Sequence, residues 1–331
     1  MGYRRAKSLA RILGWLQFEW RLFWMRRDDL PKPDVVVASS LSLLSVLNGL
    51  LIRRRTGCKF IFEVRDVWPL VLTENGGFSP SNPFVRMLGW VERVGYRHAD
   101  EIVATMPNLG PHVAEVLGYE REVHCVPMGV PDELKREPLA TFPAHLESVF
   151  PKNKFVVTHA GSIGIDNALD VLFEAARLLK AHPSVVFFVI GSGDLLSRYK
   201  TLCADLPNVI FADPVPGAFV QPILQRSSVL YFSAHPTVVL QFGQSLNKII
   251  DYMFAARPIV ASFTGFRSMV NEADCGAFVP AGDAAALADT LVEFASRPSS
   301  HLDAMGRRGR DWVLANRSYE ALAARYATIL G

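Results

Sequence analysis

Short apolar runs alternate with longer amphipathic stretches along this chain from residue 33 onward. Residues 35–38, 60–64, 101–105 and 123–126 have the length and composition of strands buried on both faces of a parallel sheet. A second series follows at 155–159, 185–190, 209–212, 229–232, 259–262 and 277–279. Segments of helical periodicity, such as 168–180, 284–295 and 319–330, separate these runs or close the chain. This rhythm predicts α/β architecture, with two doubly wound, Rossmann-like domains facing a cleft.

The polar, proline-bearing stretch 131–154 reads as the linker, which gives domains of 1–140 and 141–331. Six strands make the second domain complete. The first has four, with no strand and glycine-rich turn ahead of them, so it is expected to be incomplete. On that reading the chain is N-terminally truncated and the strand at 35–38 carries an unpaired edge, open to a partner chain that would complete the sheet.

At 331 residues, half of them apolar, the chain can bury two sizeable cores. Its four cysteines, Cys58, Cys125, Cys203 and Cys275, form no metal-like pair and no secretory signal precedes them. They read as reduced thiols of a cytoplasmic protein. Net charge is +3, but unevenly placed: residues 1–60 hold twelve Lys/Arg against four Asp/Glu, a net +8, which leaves −5 for the other 271. A basic end suits an anionic surface, and the aromatic residues around it favour lipid over nucleic acid.

Within residues 4–27, Leu9, Ile12, Leu13, Leu16, Trp20, Phe23 and Trp24 recur at helical spacing. Trp15, Phe18, Leu22 and Met25, mixed with Arg11, make a second stripe opposite. One stripe can face a core, leaving the other for a membrane interface or for missing protein. The uncharged run 35–52 is long enough to span a membrane. Its four serines, Asn48 and Gly49, and its natural division into a strand and a helix, favour a soluble reading.

The strongest chemical signal runs from Gly243 to Met253, where Ser245, Leu246, Asn247 and Lys248 open a helix and Asp251 follows one turn later. Helix N-termini present unpaired N–H groups that favour phosphate. Lys248 adds a full charge, and Asp251, three residues on, shares its face and can reach ribose hydroxyls. A solvated lysine and a dipole-paired acid would read the same way, and Asn247 suits either a cap or a ligand contact.

Two further junctions follow strands: Gly161-Ser162-Ile163-Gly164 and Gly191-Ser192-Gly193. Each suits close approach of a diphosphate to backbone, or a plain tight turn. Arg65 and Asp66 end a buried strand, where ligands of open α/β sheets gather, and can contact a sugar or form an internal ion pair. His159 and His235 read as structural or exposed.

With these motifs the chain resembles glycosyltransferase family 4, of GT-B fold, over about residues 34–331. The nearest subgroup carries Arg-Asp-x-Trp-Pro, as at Arg65 to Pro69, and Ser-Pro-Asn-Lys-x-x-Asp-Tyr-Met, as at Ser245 to Met253. It includes bacterial N-acetylfucosamine transferases of surface-polysaccharide assembly. The resemblance implies that Asp251 fills the place of the second acid of a Glu-x7-Glu motif and binds the donor ribose. Lys248 and Asn247, with the Gly161–Gly164 turn, would hold the donor diphosphate, and Arg65 and Asp66 would stand beside the donor sugar. It further implies a retaining transfer from a nucleotide-sugar donor, expected to be UDP-linked, to a lipid-linked acceptor at the inner membrane face, with no metal and no separate cofactor.

The chain departs from the family pattern at Gly243, Leu246 and Ile165-Asp166, the last pair standing where a phosphate-binding cation is common. Alternatively, the chain is a non-catalytic sugar-nucleotide-binding or scaffold subunit that needs a partner.

Overall fold

The computed structural model describes residues 9–25, 31–74, 76–135, 140–244 and 246–331. It forms two compact units, Met1–Pro127 with Ala324–Gly331, and Met128–Ala323. The ten predicted strands are all present, each within one residue of its expected ends.

In the first unit β1 (Val35–Ser39), β2 (Lys59–Val64), β3 (Glu101–Ala104) and β4 (His124–Cys125) form a parallel sheet in chain order. Right-handed crossovers between parallel strands that advance in one direction place the connecting helices on one face. Accordingly, the Ser45–Thr56 helix packs on Pro83–His98, and that helix on Gly110–Leu117. The two-residue period of β2 divides its side chains between layers. Phe60 lies over Gly49 and Phe62 against Gly95 and Tyr96, on the helix side. Ile61 faces the other way and packs with Val103 and Ile329 of the last helix, Tyr319–Leu330. That end of the helix is pinned by Lys59 Nζ donating to the Ile329 carbonyl (2.6 Å) and by Tyr326 donating to Glu63 (3.4 Å). Among the described residues β1 is paired on one side only, and Val37 is exposed there.

The second unit holds β5 (Phe155–Ala160), β6 (Val185–Ile190), β7 (Val209–Ala212), β8 (Val229–Ser233), β9 (Ile259–Ser262) and β10 (Gly276–Val279). All are parallel, in the order β10-β9-β8-β5-β6-β7, so strand order reverses between β5 and β8. On one face Val157, Phe187 and Val189 meet Leu172, Leu287 and Leu291. On the other, Leu230 and Phe232 meet Ile250 and Met253 of the Asn247–Phe254 helix.

Three expectations change. The unit boundary falls at Pro127/Met128 rather than near 140, because Gly129 packs against Leu322 and Val130 bridges Ser318. The final residues then return to the first unit. The stretch expected as a linker is largely built into the second unit: Phe142 and Phe150 stack on each other, Phe150 stacks on Phe188, and Arg226 lies over Phe142 while pairing with Glu147.

The third change concerns the Leu9–Trp24 helix. Trp20, Phe23 and Trp24 of one expected stripe, and Phe18 and Met25 of the other, are all exposed. Among the side chains described on this helix, Glu19 is buried, its carboxylate accepting from Ser42 Oγ and Asn48 Nδ2. Residues 4–8, 26 and 27 of the predicted segment lie outside the described residues, as do the side chains of 9–13, 15 and 16. Among the described residues, no helix is long and apolar enough to cross a membrane.

Candidate active site

The carboxyl ends of β5 and β6 run on into two loops that are laced together. Gly161 N–H donates to the Ile190 carbonyl (3.0 Å), Ile163 N–H to Ser192 (2.9 Å), and Leu195 N–H to Ile163 (3.1 Å). Such close approach explains two of the glycines. A Cβ on Gly191 would fall inside contact distance of the Gly161 carbonyl, and one on Gly193 would strike that of Ile163. Gly161 has φ +141° and faces Lys248, whose Nζ lies 3.7 Å from where its Cβ would be. The N–H groups of Gly161 and Ile163 are therefore engaged in the loop ladder.

The Asn247–Phe254 helix is amphipathic: Ile249, Ile250, Tyr252, Met253 and Phe254 are buried in the core. Tyr252 fixes its position against β5, its hydroxyl accepting from Ala160 N–H (2.9 Å) and lying 3.1 Å from the Ala160 carbonyl. Gln221 Nε2 donates to the Asp251 carbonyl (3.0 Å) and anchors the next turn. Lys248 and Asp251, one turn apart, then line the same cavity.

That cavity has a volume of about 440 Å³. One wall is polar, made by Gly161, Ser162, Gly191, Ser192, Lys248 and Asp251. The other is apolar, made by Ile190, Pro214, Val215, Val220 and Ile223. It lies where ligands of open α/β sheets collect, at the carboxyl ends of the strands.

Burial moves both charged groups toward neutrality. The Lys248 ammonium is lowered to about 8 and the Asp251 carboxyl raised to about 6, in each case by desolvation. Lys248 Nζ donates to Asn167 Oδ1. Asn167 is held in turn by Ser233, whose Oγ donates to its carbonyl (2.6 Å). His159 is fully buried, with Nδ1 3.4 Å from the Tyr231 carbonyl and Nε2 3.3 Å from that of Ser162. Burial first, and the nearby Lys248 second, lower its pKa to about 3, so it is a neutral structural group.

Not every predicted residue reaches the cavity. Ile163 is fully buried in the core. Gly164 opens a short 3-10 turn at φ −126° and lines no part of the cavity. Asn247 is the exposed first residue of its helix, the capping position belonging to Leu246, and it too lies off the cavity. Ser245 lies outside the described residues.

Arg65 and Asp66 belong to the first unit. There the buried Ser40 hydroxyl accepts from both of their N–H groups, at 2.8 and 3.0 Å. Asp66 reaches solvent, yet surrounding protein raises its carboxyl pKa, with Arg65 partly opposing the shift. Sequence reasoning missed Asn167, Ser40 and the apolar wall. None of these carries a local motif, since each is defined by a partner distant in the chain.

Two family models match the chain: "Glycosyl transferase 4-like domain" over residues 2–129, and "Glycosyl transferases group 1" over 154–297. Comparison with curated proteins gives no significant match. Among solved structures, sucrose-phosphate synthase from Thermosynechococcus elongatus superposes with a TM-score of 0.71 at 16% identity, covering 99% of this chain and 80% of that one. HepE from Anabaena, solved in complex with UDP-glucose, gives 0.66 at 15%, covering 90% and 78%. At such identities the structures speak for the fold, two parallel-sheet α/β domains of the GT-B type, and the family models speak for the chemistry. With one glycosyl transferase model on each half of the sequence, this chain is a glycosyltransferase of the GT-B fold.

Proposed function

We propose that this enzyme moves a sugar from a nucleotide donor, UDP-linked, to a lipid-linked saccharide acceptor in surface-polysaccharide assembly, with retention at the anomeric carbon. The observation that carries the donor assignment is the joint placement of Lys248 and Asp251 on one cavity, against the glycine ends of β5 and β6. The apolar wall suits the flat face of a nucleobase, Asp251 the ribose hydroxyls, and Lys248 with Ser162 the diphosphate. HepE, of the same fold, is described with UDP-glucose bound.

As the anomeric C–O bond breaks, the electron pair and negative charge pass to the departing diphosphate. A lysine ammonium fixed beside it stabilises that charge more than the ground state, which lowers the barrier. The acceptor hydroxyl adds on the face the leaving group vacates, its proton passing to a phosphate oxygen. This mechanism, the retention it implies and the absence of a metal rest on the family resemblance, as do sugar contacts by Arg65 and Asp66. The exposed aromatic residues of the Leu9–Trp24 helix support an acceptor held at the inner membrane face.

Calorimetric titration with UDP and GDP, and with their sugars, tests the donor assignment. Saturable UDP binding, weakened at least tenfold by Lys248→Ala and by Asp251→Ala, is expected. A folded protein that binds neither nucleotide would overturn it. An inverted product anomer would overturn retention alone.

A further inference from the structure

The first unit carries a row of three neighbouring helices, Leu9–Trp24, Ser45–Thr56 and Pro83–His98, the middle one packed on both others. Their sequences contain two acidic residues, Glu19 and Glu92, and both are buried. Glu19 is tied to Ser42 and Asn48, and Glu92 to His112 Nε2 at 2.7 Å. Every exposed charge on these helices is consequently a cation.

The cations are distributed along the whole row. Arg21 is exposed on the first helix, Arg54 and Arg55 on the second, and Arg86, Arg93 and Arg97 on the third. Arg86, Arg93 and Arg97 recur at seven- and four-residue intervals, which keeps them on one stripe of that helix. The same stripe bears Trp90, at 57% exposure, with Met87 beside it. On the first helix Trp20 and Trp24 are 66% and 63% exposed and lie 5.7 Å apart between ring centroids. Where the second and third helices end, Arg53, Arg54, His98 and Leu50 line a surface cavity of about 550 Å³.

We propose that this helix row is a docking face for an anionic lipid bilayer, with Trp20, Trp24 and Trp90 entering the interface and the arginines meeting lipid phosphate. Charge complementarity selects the partner. Three helices whose exposed charges are all arginines, set among exposed tryptophans, match headgroup phosphate over acyl chains, whereas a protein partner would ordinarily meet mixed charge. The inference deepens the membrane-facing part of the proposed function and rests on it, sharing Trp20 and Trp24 with it, while none of its residues belongs to the donor cavity. It widens the contact from the N-terminal segment to the Pro83–His98 helix, which the sequence did not mark.

The test is co-sedimentation of the full chain with vesicles of neutral phosphatidylcholine, and with vesicles about one-third phosphatidylglycerol. Binding to the anionic vesicles alone, falling with added salt, is expected. Each arginine near the surface contributes about fivefold, so Arg86→Gln, Arg93→Gln and Arg97→Gln combined should weaken binding about a hundredfold. Trp20→Ala with Trp24→Ala should weaken it about tenfold. All these side chains are exposed, and unchanged thermal melting checks that the variants fold.

Equal affinity for neutral vesicles, indifference to the Arg86/Arg93/Arg97 substitutions, preferential binding of RNA, or burial of the face in a dimer would each overturn the proposal. UDP titration in parallel separates the two readings. Lost vesicle binding with intact UDP binding refutes the docking face only, and the reverse refutes the donor site only.

Discussion

Lys248 and Asn167 are 81 residues apart in sequence, yet the lysine donates its hydrogen bond to the asparagine side chain at the mouth of β5. The partner is neutral, so the buried ammonium has its position fixed without its charge being cancelled. That leaves the charge for an anionic ligand. It also leaves Lys248 titratable near neutrality, at about 8, while Asp251 titrates at about 6.

Donor affinity should therefore show a plateau bounded by these two groups. Below about pH 6 Asp251 takes up a proton and loses the negative charge that makes it a strong acceptor for ribose hydroxyls. Above about pH 8 free Lys248 is neutral, and binding must first recharge it. Each limb should fall about tenfold per pH unit. Calorimetry with a UDP-sugar, whose diphosphate has no ionisation in this range, checks it. Lys248→Ala should flatten the alkaline limb and Asp251→Asn the acid one. An unchanged alkaline limb in Lys248→Ala would mean that another group is responsible.

Asn167→Asp converts the neutral partner of Lys248 into a charged one. The new carboxylate stabilises the ammonium, so the alkaline limb should move to higher pH. It also competes with, and repels, a bound diphosphate, so affinity on the plateau should drop by about tenfold or more. Asn167→Ala, which frees the lysine, should weaken binding less and leave the limb near its original place. An ordering of the two variants opposite to this would deny Asn167 its positioning role.

The ten strands were legible because their apolar runs are dense and short, and the Lys248–Asp251 helix because its apolar face and its charges fall at helical spacing. The unit boundary was not. Phe142 and Phe150 are isolated aromatics in a polar stretch, and only their stacking on Phe188 and beneath Arg226 assigns them to the second unit. In the same way Ile329 and Tyr326 look like any residues of a terminal helix until Ile61 and Glu63 are seen beneath them. Gly161 and Gly191 read correctly as a strand-end junction. Which N–H groups that junction leaves free depended on loop-to-loop pairing that no local pattern encodes.

Asp251 should reduce stability in the unliganded protein. Its folded-state pKa of about 6 lies above the ordinary 3.8, so the fold holds the proton more tightly than the unfolded chain does. Stability thus falls as pH rises between those values, and the full penalty is present above about 6. Asp251→Asn removes it, by about 3 kcal/mol at neutral pH. For a unit of this size the melting temperature should rise by about 6–12 °C, with no gain at about pH 3.5, where the native acid is already protonated. A variant no more stable than wild type at pH 7.5 would show that the carboxylate is adequately solvated.

Gly191 and Gly164 flank the same site but should respond oppositely to a methyl group. At Gly191 the backbone has φ +149°, and a Cβ collides with the carbonyl of Gly161, which is backbone and cannot rotate away. Gly191→Ala should part the two loops, cost more than about 3 kcal/mol and abolish UDP binding as a consequence. At Gly164 φ is −126°, open to any residue, and a Cβ meets only Ser162 Oγ at 3.5 Å. Gly164→Ala should leave the melting temperature unchanged. Its effect on UDP affinity then isolates one question, whether the ligand needs the backbone of Gly164 bare. Because Gly164 lies off the cavity, affinity within threefold of wild type is expected. A large loss of binding without a loss of stability would extend the diphosphate site past Ser162 to the start of the 3-10 turn.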